Sequence, residues 1–226
     1  MSTLERESSA PATAGDLLEL VRTGRADTRS RLRTLTGLSR TAVVARVQAL
    51  TSAGLLLVGE ELASTGGRPP GALLFNADAG VVLAVAIGRS RSQLAVLDLE
   101  GREIRSDSRD HEVGVGPDVL MPQVAERLAG LLADVEPPVA AIGLSLPGTV
   151  DAKRGRSLDS PVMAGWDGVE LAPYLADLGG APLYVANDAD VLARAELLGR
   201  GDRLRDALVV KASTCLLYTS PSPRDS

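Results

Sequence analysis

Several residue types are nearly missing from this chain of 226: it has one cysteine, one histidine, and aromatics at only 2%, namely one Trp, one Phe and three Tyr. A single Cys excludes a disulfide framework, and one Cys with one His leaves no zinc cluster within the chain. With so few rings, the core has to be aliphatic, built from Ala, Val and Leu. Long apolar runs are absent too, none approaching the roughly 18 residues that a membrane-spanning helix needs. The opening residues, MSTLERESSAPATAG, lack the apolar stretch of a secretory signal, so a cytoplasmic protein is expected. Lysine is scarce, with 2 against 22 arginines, a ratio that fits a GC-rich genome better than any physical requirement. What is present is 45% hydrophobic and 23% charged, the composition of a globular chain of one large domain or two small ones.

The net charge of −5 hides an asymmetry. Residues 1–75 carry nine Arg against seven acids, while residues 76–226 carry fifteen basic groups against twenty-two acidic ones. Seven of the arginines (22, 25, 29, 31, 33, 40 and 46) fall between Arg22 and Arg46, with Asp27 as the one acid among them. Such a patch is either a solvated helix face or a phosphate-binding surface.

Residues 1–13 are mostly Ser, Ala, Thr and Glu with one Pro, a composition expected to be disordered. The pattern then predicts a helix over Gly15–Thr23 and a second over Thr28–Thr36. A third runs from a Ser39 N-cap through Ala53, with Val43, Val47 and Leu50 as one buried stripe. Leu55–Val58 and Leu73–Phe75 flank a Gly/Pro loop and read as a hairpin. Three helices and a hairpin make a winged helix-turn-helix over residues 14–75. Beyond it, strands are predicted at Val81–Ile87, Gln93–Leu99, Glu103–Ser106, Val139–Ser145, Leu183–Ala186 and Ala207–Lys211. Helices are predicted at Pro117–Val135 and Asp188–Leu198. Strands alternating with helices argue for an α/β domain whose functional groups lie in loops at strand ends.

Four segments occur in a telling order: Gly37-Leu-Ser-Arg40, Gly66-Gly-Arg-Pro69, Ile142-Gly-Leu-Ser-Leu-Pro-Gly148 with Val150-Asp151, and Val185-Ala-Asn-Asp188. In this the chain resembles the ROK family (repressors, open reading frames, kinases), and most of all its regulators. The resemblance implies an α/β chain with an N-terminal winged helix-turn-helix, followed over residues 76–214 by the first lobe of an actin-like, ribonuclease H-like sugar-kinase-type domain. In the family, a strand like Leu208–Thr214 leads into a glycine-rich phosphate loop. Here Cys215-Leu-Leu-Tyr-Thr-Ser-Pro-Ser-Pro-Arg-Asp225 follows. Codons for that string can be chosen to match a transposon-end sequencing adaptor, so residues 215–226 are expected to be a non-native tail on a truncated chain. The family's structural zinc site would lie beyond Thr214, and no cofactor or metal is expected before it. Half an α/β domain exposes strand edges and apolar faces, so poor solubility is also expected.

For the first region the resemblance implies a double-stranded DNA operator as partner. Ser39, Arg40 and Thr41 would meet base edges and Arg46 phosphates, with Arg29 or Arg33 assisting. Gly66 and Gly67 would let the wing backbone approach the sugar-phosphate rail, and Arg68 would reach the minor groove. The blander alternatives are Ser39 as a cap, which it can be while also reading bases, and Arg68 as a solvated hairpin residue. Arg33 stands where helix-turn-helix units usually hold a small residue, so it either splays the helices or snorkels outward.

For the second region, ROK kinases carry Asp-x-Gly on the first hairpin where this chain reads Ala86-Ile-Gly88, and alanine cannot help to hold Mg²⁺. The nucleotide half of the chemistry therefore looks lost. Gly148, Asn187 and Asp188 are the expected sugar-binding residues, the Pro147-Gly148 backbone being left free to face a ligand. Asp188 matches the kinases' general base, and its alternative is a plain helix N-cap. Trp166 matches a family position, Asp151 reads as a turn residue and His111 as a polar-loop residue. The expected function is a sugar-responsive DNA-binding regulator acting as a repressor, dimeric when full length, with a sugar or sugar-phosphate effector. A hexose kinase and a carbohydrate-binding module without an operator are the alternatives.

Overall fold

The first helix, α1 (Ala14–Arg22), starts at a reciprocal cap: the Thr13 hydroxyl accepts from Asp16 N at 3.2 Å, and the Asp16 carboxylate accepts from Thr13 N at 2.6 Å. Such a box satisfies backbone donors that the first turn would leave orphaned. Thr28 caps α2 (Arg29–Thr36) by accepting from Arg31 N, and α2 ends at Gly37, whose φ of 69° is left-handed. Ser39 caps α3 (Arg40–Ser52) by accepting from Ala42 N at 3.2 Å. The expected helix limits lie within one residue of these.

The structure, a computed structural model, describes residues 11–61, 71–160, 162–200, 208–211 and 217–219. It divides into two compact units, Met1–Ala79 and Gly80–Ser226. In the first, Leu17, Leu32, Val43, Val47 and Leu56 form a buried aliphatic core. Burying side chains of this size contributes about 1.5–3 kcal/mol each. Strands β1 (Leu56–Glu61) and β2 (Gly71–Phe75) pair antiparallel, and Leu73 N donates to Asp27 O at 2.7 Å, tying the ribbon to the link between α1 and α2. The expected wing residues Gly66, Gly67 and Arg68 lie outside the described residues. Asn76 stays with this unit, its Nδ2 donating to Gly54 O at 2.8 Å and its backbone N to Leu55 O. That is why the division falls after Ala79 and not after residue 75. Arg33 resolves outward into solvent, while Leu32 beside it is buried.

The second unit is built on a five-stranded sheet. Its strands are β3 (Val81–Ile87), β4 (Arg91–Asp98), β5 (Glu103–Asp110), β6 (Val139–Leu146) and β9 (Leu183–Asn187), in the order β5-β4-β3-β6-β9. β3 pairs antiparallel with β4 and β4 with β5, whereas β3, β6 and β9 run parallel. Alternate residues Leu83, Val85, Ile142, Leu144 and Val185 point to one face and join Leu120, Met121, Val124 and Leu128 of α4 (Pro117–Leu132). β5 runs four residues further than its expected end at Ser106. Its polar second half, Asp107-Ser-Arg-Asp110, is held by pairing with β4 and by Asp107 meeting Arg127 of α4.

A hairpin, β7 (Thr149–Asp151) and β8 (Arg156–Asp159), and a short helix α5 (Ala172–Leu175) separate β6 from β9. The sequence did not point to them. After β9 comes α6 (Asp188–Arg200), then a ribbon of β10 (Val209–Lys211) and β11 (Leu217–Thr219). The strand expected at Ala207–Lys211 thus pairs with the tail and not with the five-stranded sheet, and Ala207 lies outside the described residues.

Candidate functional site

In the first unit, the α3 surface is set by its buried stripe. Val43, Val47 and Leu50 face inward, which turns Ser39, Arg40 and Thr41 outward, all exposed. Arg46 is half-buried, and its Nη1 donates to Ala42 O at 3.3 Å, one turn back on its own helix. Around α2 and α3 the guanidinium groups of Arg25, Arg29, Arg33 and Arg40 have no carboxylate within ion-pair distance among the described residues. The ion pair described in this unit joins Arg22 and Glu19 of α1 at 2.7 Å. Three further residues share the outward face of α3: Val44, Ala45 and Gln48. Sequence reasoning passed over them, although their spacing of four, five and eight from Arg40 was there to be read.

In the second unit, the parallel register brings the carboxyl ends of β3, β6 and β9 side by side. Ala86 stands opposite Ser145, and Leu146 opposite Asn187. Ligand sites of open α/β sheets lie at this edge. Gly148, with φ of 92°, packs so closely on β8 that a Cβ there would lie 2.2 Å from Asp159 O. Asn187 Nδ2 donates to Gly148 O at 2.7 Å, and Ser160 Oγ donates to Pro147 O at 3.0 Å. The backbone carbonyls expected to be free for a ligand are therefore taken by protein donors. The Asn187 side-chain oxygen meanwhile accepts from Ala189 N at 2.8 Å and Asp190 N at 3.2 Å. Asn187, rather than Asp188, caps α6.

Freed from capping, the Asp188 carboxylate lies only 12% exposed, with one oxygen paired to the Lys211 ammonium. Its other oxygen, Oδ1, is buried and has no hydrogen-bond partner among the described residues. A buried, unserved carboxylate oxygen costs free energy unless something donates to it. The strand-end position thus holds a buried carboxylate beside a backbone loop pinned by Asn187 and Ser160.

Trp166 is fully buried and its Nε1 donates to Val115 O at 3.0 Å, which makes it a core residue of this unit. Asp151 closes the β7–β8 turn by accepting from Lys153 N and Arg154 N. Burial would raise its pKa, but these donors and the Arg154 guanidinium outweigh that and hold it below the usual carboxylate range. Asp107 is held low chiefly by its hydrogen bond from Arg127, against a burial penalty. His111 Nδ1 lies 3.2 Å from Glu112 O. Among the described residues, no three His, Cys, Asp or Glu side chains gather as a metal site would require, and no helix is long and apolar enough to cross a membrane.

No protein-family model matches the chain. A transcriptional regulator of Mycobacterium bovis is 31% identical over 169 residues, which are 72% of this chain and 37% of that protein. The xylose repressor of Bacillus spizizenii is 25% identical over 171 residues, 74% of this chain and 44% of the repressor. The chain thus spans less than half the length of these curated relatives. Among solved structures, a ROK family transcriptional regulator, a homolog of the E. coli MLC protein, superposes with a TM-score of 0.77 at 22% identity, over 92% of this chain and 53% of that one. A ROK family glucokinase from Streptomyces griseus, solved with glucose and AMPPNP, gives a TM-score of 0.53 at 24% identity, over 62% of this chain and 43% of that one.

This is the α/β, actin-like fold common to ROK regulators and ROK sugar kinases. In fold the chain is similar to both, and the regulator accounts for 92% of it where the kinase accounts for 62%.

Proposed function

We propose that the chain is part of a DNA-binding transcriptional regulator, acting as a repressor in the cytoplasm, whose grip on its operator answers to a sugar or sugar phosphate. The observation that carries this reading is the open leading turn of α3. There Ser39, Arg40 and Thr41 are all exposed, next to arginines that have no acidic partner among the described residues. A major groove about 12 Å wide admits such a helix, and unpaired guanidinium groups beside it have phosphate oxygens to meet. Arg46 would add a phosphate contact. A homodimer would read two half-sites about one helical turn apart. The names of the xylose repressor and of the mycobacterial regulator support the same reading.

On the effector side, Asp188 Oδ1 would accept from a sugar hydroxyl, since no described residue donates to it. Asn187 and Gly148 would shape that position, since most of their own hydrogen-bonding capacity is spent on each other and on α6.

A second reading, phosphorylation of a hexose by ATP, is favoured by the same Asp188 acting as general base. Against it stands Ala86, exposed at the end of β3 between Gln93 and Ser145, so that no carboxylate is offered to a magnesium–nucleotide group there. These residues do not fit that group.

The test is fluorescence anisotropy of labelled random-sequence duplex with the whole chain, across about 50–200 mM salt. Binding should fall steeply as salt rises and change when xylose, glucose or glucose 6-phosphate is added. Absent or salt-insensitive binding would overturn the regulator reading, and ADP release with any hexose would move it to the kinase.

A further inference from the structure

The outward face of α3 carries more than its leading arginine. Its exposed positions Arg40, Thr41, Val44, Ala45 and Gln48 recur at intervals of one, four, five and eight, a single stripe two turns long. At 1.5 Å per residue, Arg40 and Gln48 are about 12 Å apart along the axis, enough to pass three or four base pairs. An apolar side chain exposed alone needs no explanation. Val44 is different because of where it sits: 42% exposed, midway between a guanidinium and an amide, on the surface that carries the unpaired arginines. A shallow groove of about 210 Å³ runs along its flank, lined by Arg29, Val44, Gln48, Thr51, Ser52 and Val58.

We propose that Val44 and Gln48 read bases, Val44 seating the methyl group of a thymine and Gln48 pairing with an adenine edge. This rests on the regulator reading and extends it to the composition of the half-site. The thymine methyl is the one apolar group that a base pair offers in the major groove, and every other edge there is a donor or acceptor that Val44 would desolvate without recompense. Ala45, adjacent and also exposed, widens the apolar spot without adding a polar demand. Gln48 lies one further turn along and carries both a donor and an acceptor, the pattern that matches adenine N7 and N6. Arg40, at the opposite end of the stripe, has the geometry that matches guanine. Arg29, on the wall of the groove, is placed for the phosphate beside the thymine. The half-site is thus a G·C pair followed by A·T pairs, and Val44 and Gln48 set the second part of it.

The test begins with the whole chain retaining duplexes from a random-sequence pool at about 50 mM salt. Next, each thymine of the retained sequence is replaced in turn by uracil, which lacks the methyl group. At one or two positions uracil should weaken binding about four-fold, the worth of one buried methyl. With Val44→Ala that sensitivity should vanish, and with Gln48→Ala the preference for the neighbouring adenine should relax while uracil still weakens binding. Both side chains are exposed, so neither change should disturb folding. If the chain retains DNA but uracil weakens binding nowhere, or if Val44→Ala keeps the full sensitivity, this inference is overturned and the regulator reading survives. If no duplex is retained at all, the regulator reading itself fails.

Discussion

The two units spend most of their described arginines differently. In the second, Arg91, Arg102, Arg105, Arg127, Arg154 and Arg156 each meet a carboxylate. Arg127 does so while only 7% exposed, reaching Asp107 at 2.7 Å and Ser92 Oγ at 2.6 Å. In the first, Arg25, Arg29, Arg33 and Arg40 stand without a described acidic partner around α2 and α3. A guanidinium already bound to a carboxylate serves folding and has little left for a polyanion. One that faces water keeps its five donors and its counterions, and releasing those ions on a phosphate rail is what drives salt-dependent association. The contrast teaches that arginine content alone says little; the distribution of acids around it decides what the charge can do.

Four changes would break or sharpen that contrast. The largest effect is expected from Gly148→Ala, because the new Cβ would lie 2.2 Å from Asp159 O on a backbone already at φ of 92°. We expect a loss on the order of 3 kcal/mol or more in the second unit, seen in urea denaturation followed by Trp166 fluorescence, with DNA binding kept. An unchanged midpoint would mean that β8 yields freely.

Acid comes next. Asp107 and Asp98 have folded pKa values below the ordinary carboxylate value: Asp107 through Arg127, and Asp98 because donors from Arg102 and Glu100 outweigh the burial that would raise it. Depressed carboxylates stabilise above the unfolded pKa of about 3.9, and that contribution is lost as pH falls through the folded value. Among the described residues of the first unit the lowered groups are Asp16, held by Thr13, and Glu19, held by Arg22, and both are exposed, so less rides on them. Below about pH 4, Trp166 fluorescence should therefore report unfolding of the second unit while the share of helical circular dichroism that α1, α2 and α3 supply remains. Simultaneous loss would contradict the unequal use of charge.

Smaller effects belong to the first unit. Ser39→Ala removes the cap of α3 and should cost about 1 kcal/mol, readable as a lower melting temperature, with Ser39→Asp restoring it. Smallest in stability is Arg33→Ala, expected to shift unfolding by less than about 0.5 kcal/mol because the side chain is exposed and meets no acid among the described residues. The same change should lower the salt slope of DNA binding by about 1. A larger destabilisation than that would show Arg33 to be a structural residue after all.

Much of the first unit was legible because its helix ends are written in single side chains. Thr28, Ser39 and Gly37 each name a boundary, and the Val43, Val47, Leu50 stripe names the buried face. In the second unit the aliphatic strands β3, β6 and β9 could be read in the same way. The latter half of β5 could not, since Asp107-Ser-Arg-Asp110 has no apolar alternation and owes its form to the partner strand. The β7–β8 hairpin is short and polar, and it depends on the close approach at Gly148, which only three dimensions reveal. Among candidate site residues, sequence placed Asn187 and Asp188 together but could not say which of two neighbouring polar side chains would cap α6. The exposure of Val44 and Gln48 follows from the same helical spacing that buries Val43 and Val47.

One arrangement in the second unit has a mechanical consequence. The single amide of Asn187 grips the Pro147-Gly148 turn with its nitrogen and two backbone N–H groups of α6 with its oxygen. Anything that pulls the turn outward must either break that grip or drag the first coil of the helix along with it. A displacement at the sheet's edge is thereby handed to a rod thirteen residues long, which turns a local adjustment into leverage at a distance.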